Sequence, residues 1–176
     1  MFGKLKLKLA HFIMHRKYLK KNLQPIVFNK AISDAVDFLI LMPEDDKDFY
    51  YCQEVIKYLL IHRKQIVLFA PEPKINLVPD KEKYKFISFS ALQRTKLNLP
   101  DPLLVQKLKN ETFDVVMDLN RTENIFYSAA ANIVDSKLRV SFSKPGSEGY
   151  YNFQFANTKE EPEVTYRNLL NFLQMF

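Results

Sequence analysis

The sequence predicts an α/β fold: a three-layer, Rossmann-like and mostly parallel sheet of five to six strands, with helices on both faces and a basic helix at the N-terminus. Three observations carry that expectation. Short apolar runs recur along the chain, amphipathic stretches of helical period separate them, and the alternation repeats at the roughly twenty- to thirty-residue interval of βαβ units. At 176 residues the chain fits one such domain. Residues 1–33 read as a basic amphipathic helical arm and linker, and 34–176 as the Rossmann-like domain.

In the arm, Leu5, Leu9, Phe12, Leu19 and Leu23 recur at steps of three and four, with a break at Arg16, which predicts a helix over residues 4–23. Residues 24–33 read as linker. Val36–Met42, stopped by Pro43, has the continuity of a parallel strand covered on both faces. A helix over 46–62 follows, with Phe49, Cys52, Ile56, Leu59 and Leu60 on one side and Asp45, Asp46 and Asp48 at its positive end. Gln65–Ala70 is a second strand, closed by Pro71 and Pro73. Lys85–Phe89 alternates with period two, as near a sheet edge. Asp101-Pro102 supplies an N-cap and a first-turn proline for a helix through Leu108. Phe113–Leu119 is the fourth strand, after which Thr122 is the expected cap of a helix through Phe126, Ala129, Ala130 and Ile133. Leu138–Phe142 is the fifth strand, Pro145–Gly149 turns, and Tyr151–Phe155 alternates as a sixth. Residues 156–162 read as a second linker. A last helix spans about 161–175, with Tyr166, Leu169, Leu170, Leu173 and Phe176 in a stripe.

Phe113-Asp114-Val115-Val116-Met117-Asp118-Leu119 resembles the "YDLVIDL" strand in the N-terminal half of the heptosyltransferase-like, family-nine glycosyltransferases, which pair two Rossmann-like domains in the GT-B arrangement. The surroundings are similar: small residues follow in Ser128-Ala129-Ala130-Ala131, then Leu138–Phe142 stands where the family commonly has an arginine, and Val164–Leu170 looks like the helix leaving that half. The resemblance spans about residues 36–176. It implies a stand-alone bacterial half domain, and a base role for an aspartate after the first strand. The family has a Gly-Asp step there, whereas this chain has Met42-Pro43-Glu44-Asp45-Asp46-Lys47-Asp48, and Asn120-Arg121 replaces a family glycine. The donor-holding second half is not in the sequence, so a transferase would need a partner to complete it.

Composition narrows the function further. Only Gly3, Gly146 and Gly149 are glycine, which excludes a Gly-rich phosphate loop. The single Cys52 excludes an internal disulfide and a cysteine-based zinc cluster and fits a reducing cytoplasm. No apolar run approaches the ~20 residues of a membrane span, and no clean signal peptide is visible. The net charge of +6 is concentrated at the start: residues 1–30 hold eight basic side chains and no acid, and 31–176 hold the other 18 against all 20 acidic ones.

An acid-free helix of this kind admits two readings. Its leucines dock on the domain's own core and its lysines are a solvated face, or it is a landing surface for a polyanion. In the second case Lys4, Lys6, Lys8, Arg16, Lys17, Lys20 and Lys21 are the contacts. RNA or a ribonucleoprotein such as the ribosome is expected ahead of an anionic membrane, because the stripe is thin at Arg16 and lacks tryptophan. Self-association through the arm is a third option. His11 and His15 share a helical spacing but have no carboxylate or cysteine near in sequence, so no metal and no cofactor is expected.

In an open parallel sheet ligands lie beyond the strand carboxyl ends. Glu44, Asp45, Asp46, Pro71, Ser90, Asp118, Asn120 and Arg121 are expected there. Asp45, Asp46 and Asp118 are the alternative catalytic set, as a proton-sharing pair or a base, against the plainer reading that the first two cap a helix and Asp118 organises its loop. His62 reads as a helix-end residue, Cys52 as a packed thiol, and Gly146-Ser147-Glu148-Gly149 as a turn. Tyr150, Tyr151, Phe153 and Phe155 form either a stacking surface for bases or core. The balance of residues favours binding over catalysis.

Overall fold

The computed structural model describes residues 2–19, 28–156 and 161–175. Its helices are α1 (Phe2–Lys17), α2 (Phe28–Ser33), α3 (Asp46–Tyr51), α4 (Gln53–Ile61), α5 (Pro102–Lys109), α6 (Ile125–Ile133) and α7 (Pro162–Leu173). Its strands are β1 (Asp37–Leu41), β2 (Gln65–Pro71), β3 (Lys85–Phe89), β4 (Thr112–Asp118), β5 (Asp135–Phe142) and β6 (Phe153–Phe155). They form one sheet in the order β3-β2-β1-β4-β5-β6, with every neighbouring pair parallel. The fold is Rossmann-like α/β.

Period-two alternation divides the strand side chains between two cores. Phe38, Ile40 and Met42 of the β1 region join Val115, Met117, Leu138 and Val140 beneath α3, α4 and α7, where Cys52, Val55, Ile56, Leu59, Tyr166 and Leu169 complete the layer. Leu39, Leu41 and Val116 face the other way, onto Leu104, Leu108 and the buried helix α6. Burial on both sides is why these strands read as continuous apolar runs. Ala129, Ala130 and Ala131 let α6 lie close against the sheet, and Phe69, Phe89, Phe126 and Tyr127 interlock their rings there.

Three expectations need correction. Asn124, not Thr122, caps α6, its side-chain oxygen accepting from the Phe126 N–H, so Thr122 lies in the preceding loop. The helix expected over 46–62 is divided at Cys52 into α3 and α4. The stretch read as linker contains α2, and Ile32 and Ala35 enter the core under it.

The N-terminal helix differs in a more consequential way. It ends at Lys17, and it docks on the body through Ala10 and Met14, with Ile13, Tyr18 and Leu19 packed beside them. Of the stripe that one of the two readings docks on the core, Leu19 does pack there, whereas Leu5, Leu9 and Phe12 face solvent at 68%, 48% and 58% exposure. The reason lies in what α1 meets. Alanine at position 10 permits close approach to the alanine-rich α6, and His11 is held by the Tyr150 hydroxyl at 2.5 Å, so the side carrying Ala10 and Met14 turns inward.

Candidate functional site

Strand order reverses between β1 and β4: the chain runs outward from β1 through β2 to β3, then returns to lay β4 on β1's other side. That switch is where an open α/β sheet forms its crevice. Here side chains bridge it. The Asn120 side-chain oxygen accepts the Glu44 backbone N–H at 3.3 Å, and the Arg121 guanidinium donates to Asp48 across the same gap at 2.6 Å. Burial raises the Asp48 carboxyl pKa, and the Arg121 contact opposes the rise.

Asp118, at the end of β4, is enclosed. One of its carboxylate oxygens accepts the Asn120 backbone and side-chain N–H groups at 3.0 and 2.8 Å. The other accepts the Lys144 ammonium and the Tyr151 hydroxyl, each at 2.6 Å. Lys144 and Asp118 side chains are both essentially without solvent contact. Burial and the neighbouring Asp118 carboxylate push the Tyr151 phenol well up, so it stays a neutral donor. Ser128 joins this network, touching the Tyr151 hydroxyl and donating to Glu123, whose carboxyl is raised by burial.

The other acids hold different partners. Asp45 is the N-cap of α3, accepting the Lys47 and Asp48 N–H groups at 3.0 Å, and the Asp48 bond heads the causes that lower its pKa. Asp46 pairs with Lys74 at 2.8 Å. Glu44 accepts from Arg94 and Asn124, while Arg94 lies over the Phe126 ring at 4.2 Å. Asp45, Asp46 and Asp118 therefore each serve a separate structural contact. Among the described residues no three His, Cys, Asp or Glu side chains converge in a metal-holding group.

The aromatic run after the turn is core. Tyr150 and Tyr151 are buried, and Phe153 and Phe155 pack on Phe172. Gly146 and Gly149 take positive φ angles of 84° and 85°, which supports a tight turn at the segment read as one. Cys52 is buried, its thiol donating to the Phe49 carbonyl and pushed up by burial. His62 terminates α4 against Tyr58. No helix among the described residues is long and apolar enough to cross a membrane.

Of the seven basic contacts expected in the arm, Lys6, Lys8, Arg16 and Lys17 are exposed on α1. Lys4 is described only as helix backbone, and Lys20 and Lys21 lie outside the described residues. At 100° per residue Leu5, Leu9, Phe12 and Arg16 fall within an arc of roughly 60°, opposite Ala10 and Met14. Lys8 and His15 flank it on one side and Lys6 and Lys17 on the other. The outer surface of α1 is thus an apolar line with lysines on either side, and there is no acid in the helix.

Sequence reasoning did not single out Lys144 or Arg94. Lys144 stands between a serine and a proline at the edge of a turn, the setting of an ordinary surface lysine. The only hint was the lack of any evident partner for Asp118.

Fold and site together define a Rossmann-like α/β protein with a bridged strand-end crevice and a cationic outer helix. A model of a family of unknown function, DUF6913, matches residues 13–176, and the chain belongs to that family. The match begins at Ile13, so Leu5, Leu9, Phe12 and the lysines among them precede it. No curated protein matches the chain.

Proposed function

We propose that this is a non-catalytic binding protein, a glycosyltransferase-like half domain that attaches to an anionic partner through the outer surface of α1. One observation carries the reading: the cations of an acid-free helix face solvent, while each candidate catalytic carboxylate already holds an intramolecular partner. A partner-completed sugar transferase would need Asp45, Asp46 or Asp118 as a free base. Asp45 would have to abandon its cap, Asp118 would have to shed four donors, and the exposed Asp46 would have to release only Lys74.

Cations on an acid-free helix suit a polyanion, and RNA or a ribonucleoprotein is one such partner, since phosphate neutralisation releases counterions. If six arm cations engage a duplex, log affinity falls against log salt with a slope of about −5. The experiment is retention of the full chain on immobilised RNA and on anionic vesicles across a salt series, beside the Lys6→Glu/Lys8→Glu variant. Steep salt dependence that the variant loses supports the reading. A slope near zero on both supports, or binding untouched by charge reversal, overturns it.

A further inference from the structure

We infer that the partner of α1 is an anionic lipid bilayer, on which the helix lies in the plane of the interface. This rests on the reading above that α1 is the attachment surface, and it names what that surface meets. The cations do not decide the matter, because nucleic acid and anionic lipid both supply phosphates. The apolar line between them does. Leu5, Leu9 and Phe12 are turned away from the body, about half exposed or more, and they stand one helical turn apart over about 10 Å.

A polyphosphate chain docking on the flanking lysines would hold these three groups against a charged, hydrated surface. A bilayer interface takes up both kinds of group. The apolar line enters the boundary between headgroups and acyl chains, and the lysine stems on either side extend upward to place their ammonium groups at headgroup depth.

The way α1 is fixed supports this assignment. Ala10 and Met14 on α6, together with the His11 contact to Tyr150, hold the opposite side against the body. The helix therefore turns Leu5, Leu9 and Phe12 outward as a line, with the exposed Leu7 off that line, and the body stays outside the bilayer. With no acid on α1, nothing in the helix opposes approach to an anionic leaflet. Arg16, on the same arc as the apolar line, limits insertion to the first part of the helix and places a guanidinium at the headgroups. Such a helix binds reversibly, its affinity set jointly by a small apolar area and several cations.

The chain has no tryptophan, so Phe12→Trp installs a single emission reporter at an exposed position. The experiment titrates the full chain carrying Phe12→Trp with vesicles of phosphatidylglycerol and phosphatidylcholine, with phosphatidylcholine vesicles alone, and with poly(U) RNA. In parallel, sedimentation compares wild type with Leu5→Ser/Leu9→Ser on the same probes, and circular dichroism verifies that both variants keep their helix content. The expected result is a blue shift on the anionic vesicles only. The serine variant should bind them at least about tenfold more weakly while its behaviour towards poly(U) is unchanged.

Binding to poly(U) with no response to vesicles overturns the lipid assignment and leaves the attachment reading standing. Vesicle binding indifferent to the serine substitutions also overturns it, because cations alone would then suffice. Binding to neither probe, with a dimer in light scattering that the serine variant dissolves, makes the line a self-contact and overturns both readings.

Discussion

Lys144 places its ammonium 2.6 Å from an Asp118 carboxylate oxygen, with both side chains shut away from solvent. The pair ties the segment after β5 to the carboxyl end of β4, and the Tyr151 hydroxyl closes on the same oxygen. Removing one partner strands the other charge in the interior. Lys144→Met and Asp118→Asn should each lower stability by about 3–5 kcal/mol, read from urea unfolding. Lys144→Met with Asp118→Asn should cost clearly less than the sum of the two. Strict additivity would mean that the charges do not interact.

The His11 contact makes α1 docking sensitive to pH. Burial first, and the neighbouring His15 second, lower the His11 pKa below its ordinary value near 6.5. The docked state therefore disfavours the protonated ring. Docking is at full strength above pH 6.5 and weakens as pH falls through that value towards the lowered one. The facing Tyr150 phenol is pushed up to about 12, chiefly by burial, and stays neutral throughout. Amide exchange along α1 should accelerate between pH 7 and 5 relative to α6, after correction for intrinsic rates, and His11→Gln should flatten the difference. Equal pH dependence in the two helices would contradict the assignment.

Arg139 is buried and donates to the carbonyls of Ala131, Val134 and Ser136 at 2.7–3.0 Å. These include carbonyls at the C-terminus of α6, which have no acceptor role left within the helix. Arg139→Met leaves them unpaired inside the protein, at a cost of about 3 kcal/mol or more. Arg139→Lys should recover little of it, since one ammonium cannot span three carbonyls set around a planar fork. Thermal unfolding of the two variants beside wild type makes the comparison. Full recovery by lysine would show that charge, not geometry, is what matters.

Arg63 follows the C-cap of α4 with φ of 59°, and the Arg63 and Lys64 N–H groups return to the Leu60 and Leu59 carbonyls. That left-handed position ordinarily belongs to glycine. Arg63→Gly should stabilise the protein by about 0.5–1 kcal/mol, seen as a raised Tm. A lowered Tm would mean that the Arg63 side chain contributes more than its backbone strain costs.

Much of the fold was legible in the sequence because buried parallel strands leave an unmistakable trace. Val36–Met42, Gln65–Ala70 and Phe113–Leu119 are apolar on both faces, and both faces are covered. The Asp101-Pro102 cap was readable for the same local reason. What escaped depended on contacts distant in sequence. Ala10 is too small to mark a docking face, and the partner that anchors His11 lies 139 positions away. Thr122 and Asn124 are both good caps by residue type, and only the folded chain shows that Asn124 is the one that meets the Phe126 N–H. Lys144 became part of the candidate site only when the sheet carried it to Asp118.

The uniformly parallel sheet has a further consequence, for the way the chain assembles. No two neighbouring strands can be joined by a tight hairpin, and the central pairing of Phe38 with Val115 joins positions 77 apart. Much of the loop entropy must therefore be lost before the middle of the sheet yields any contact. Chains dominated by such pairings fold on the order of milliseconds to seconds, long enough for the bare edges of a half-assembled β1 or β4 to meet those of another molecule.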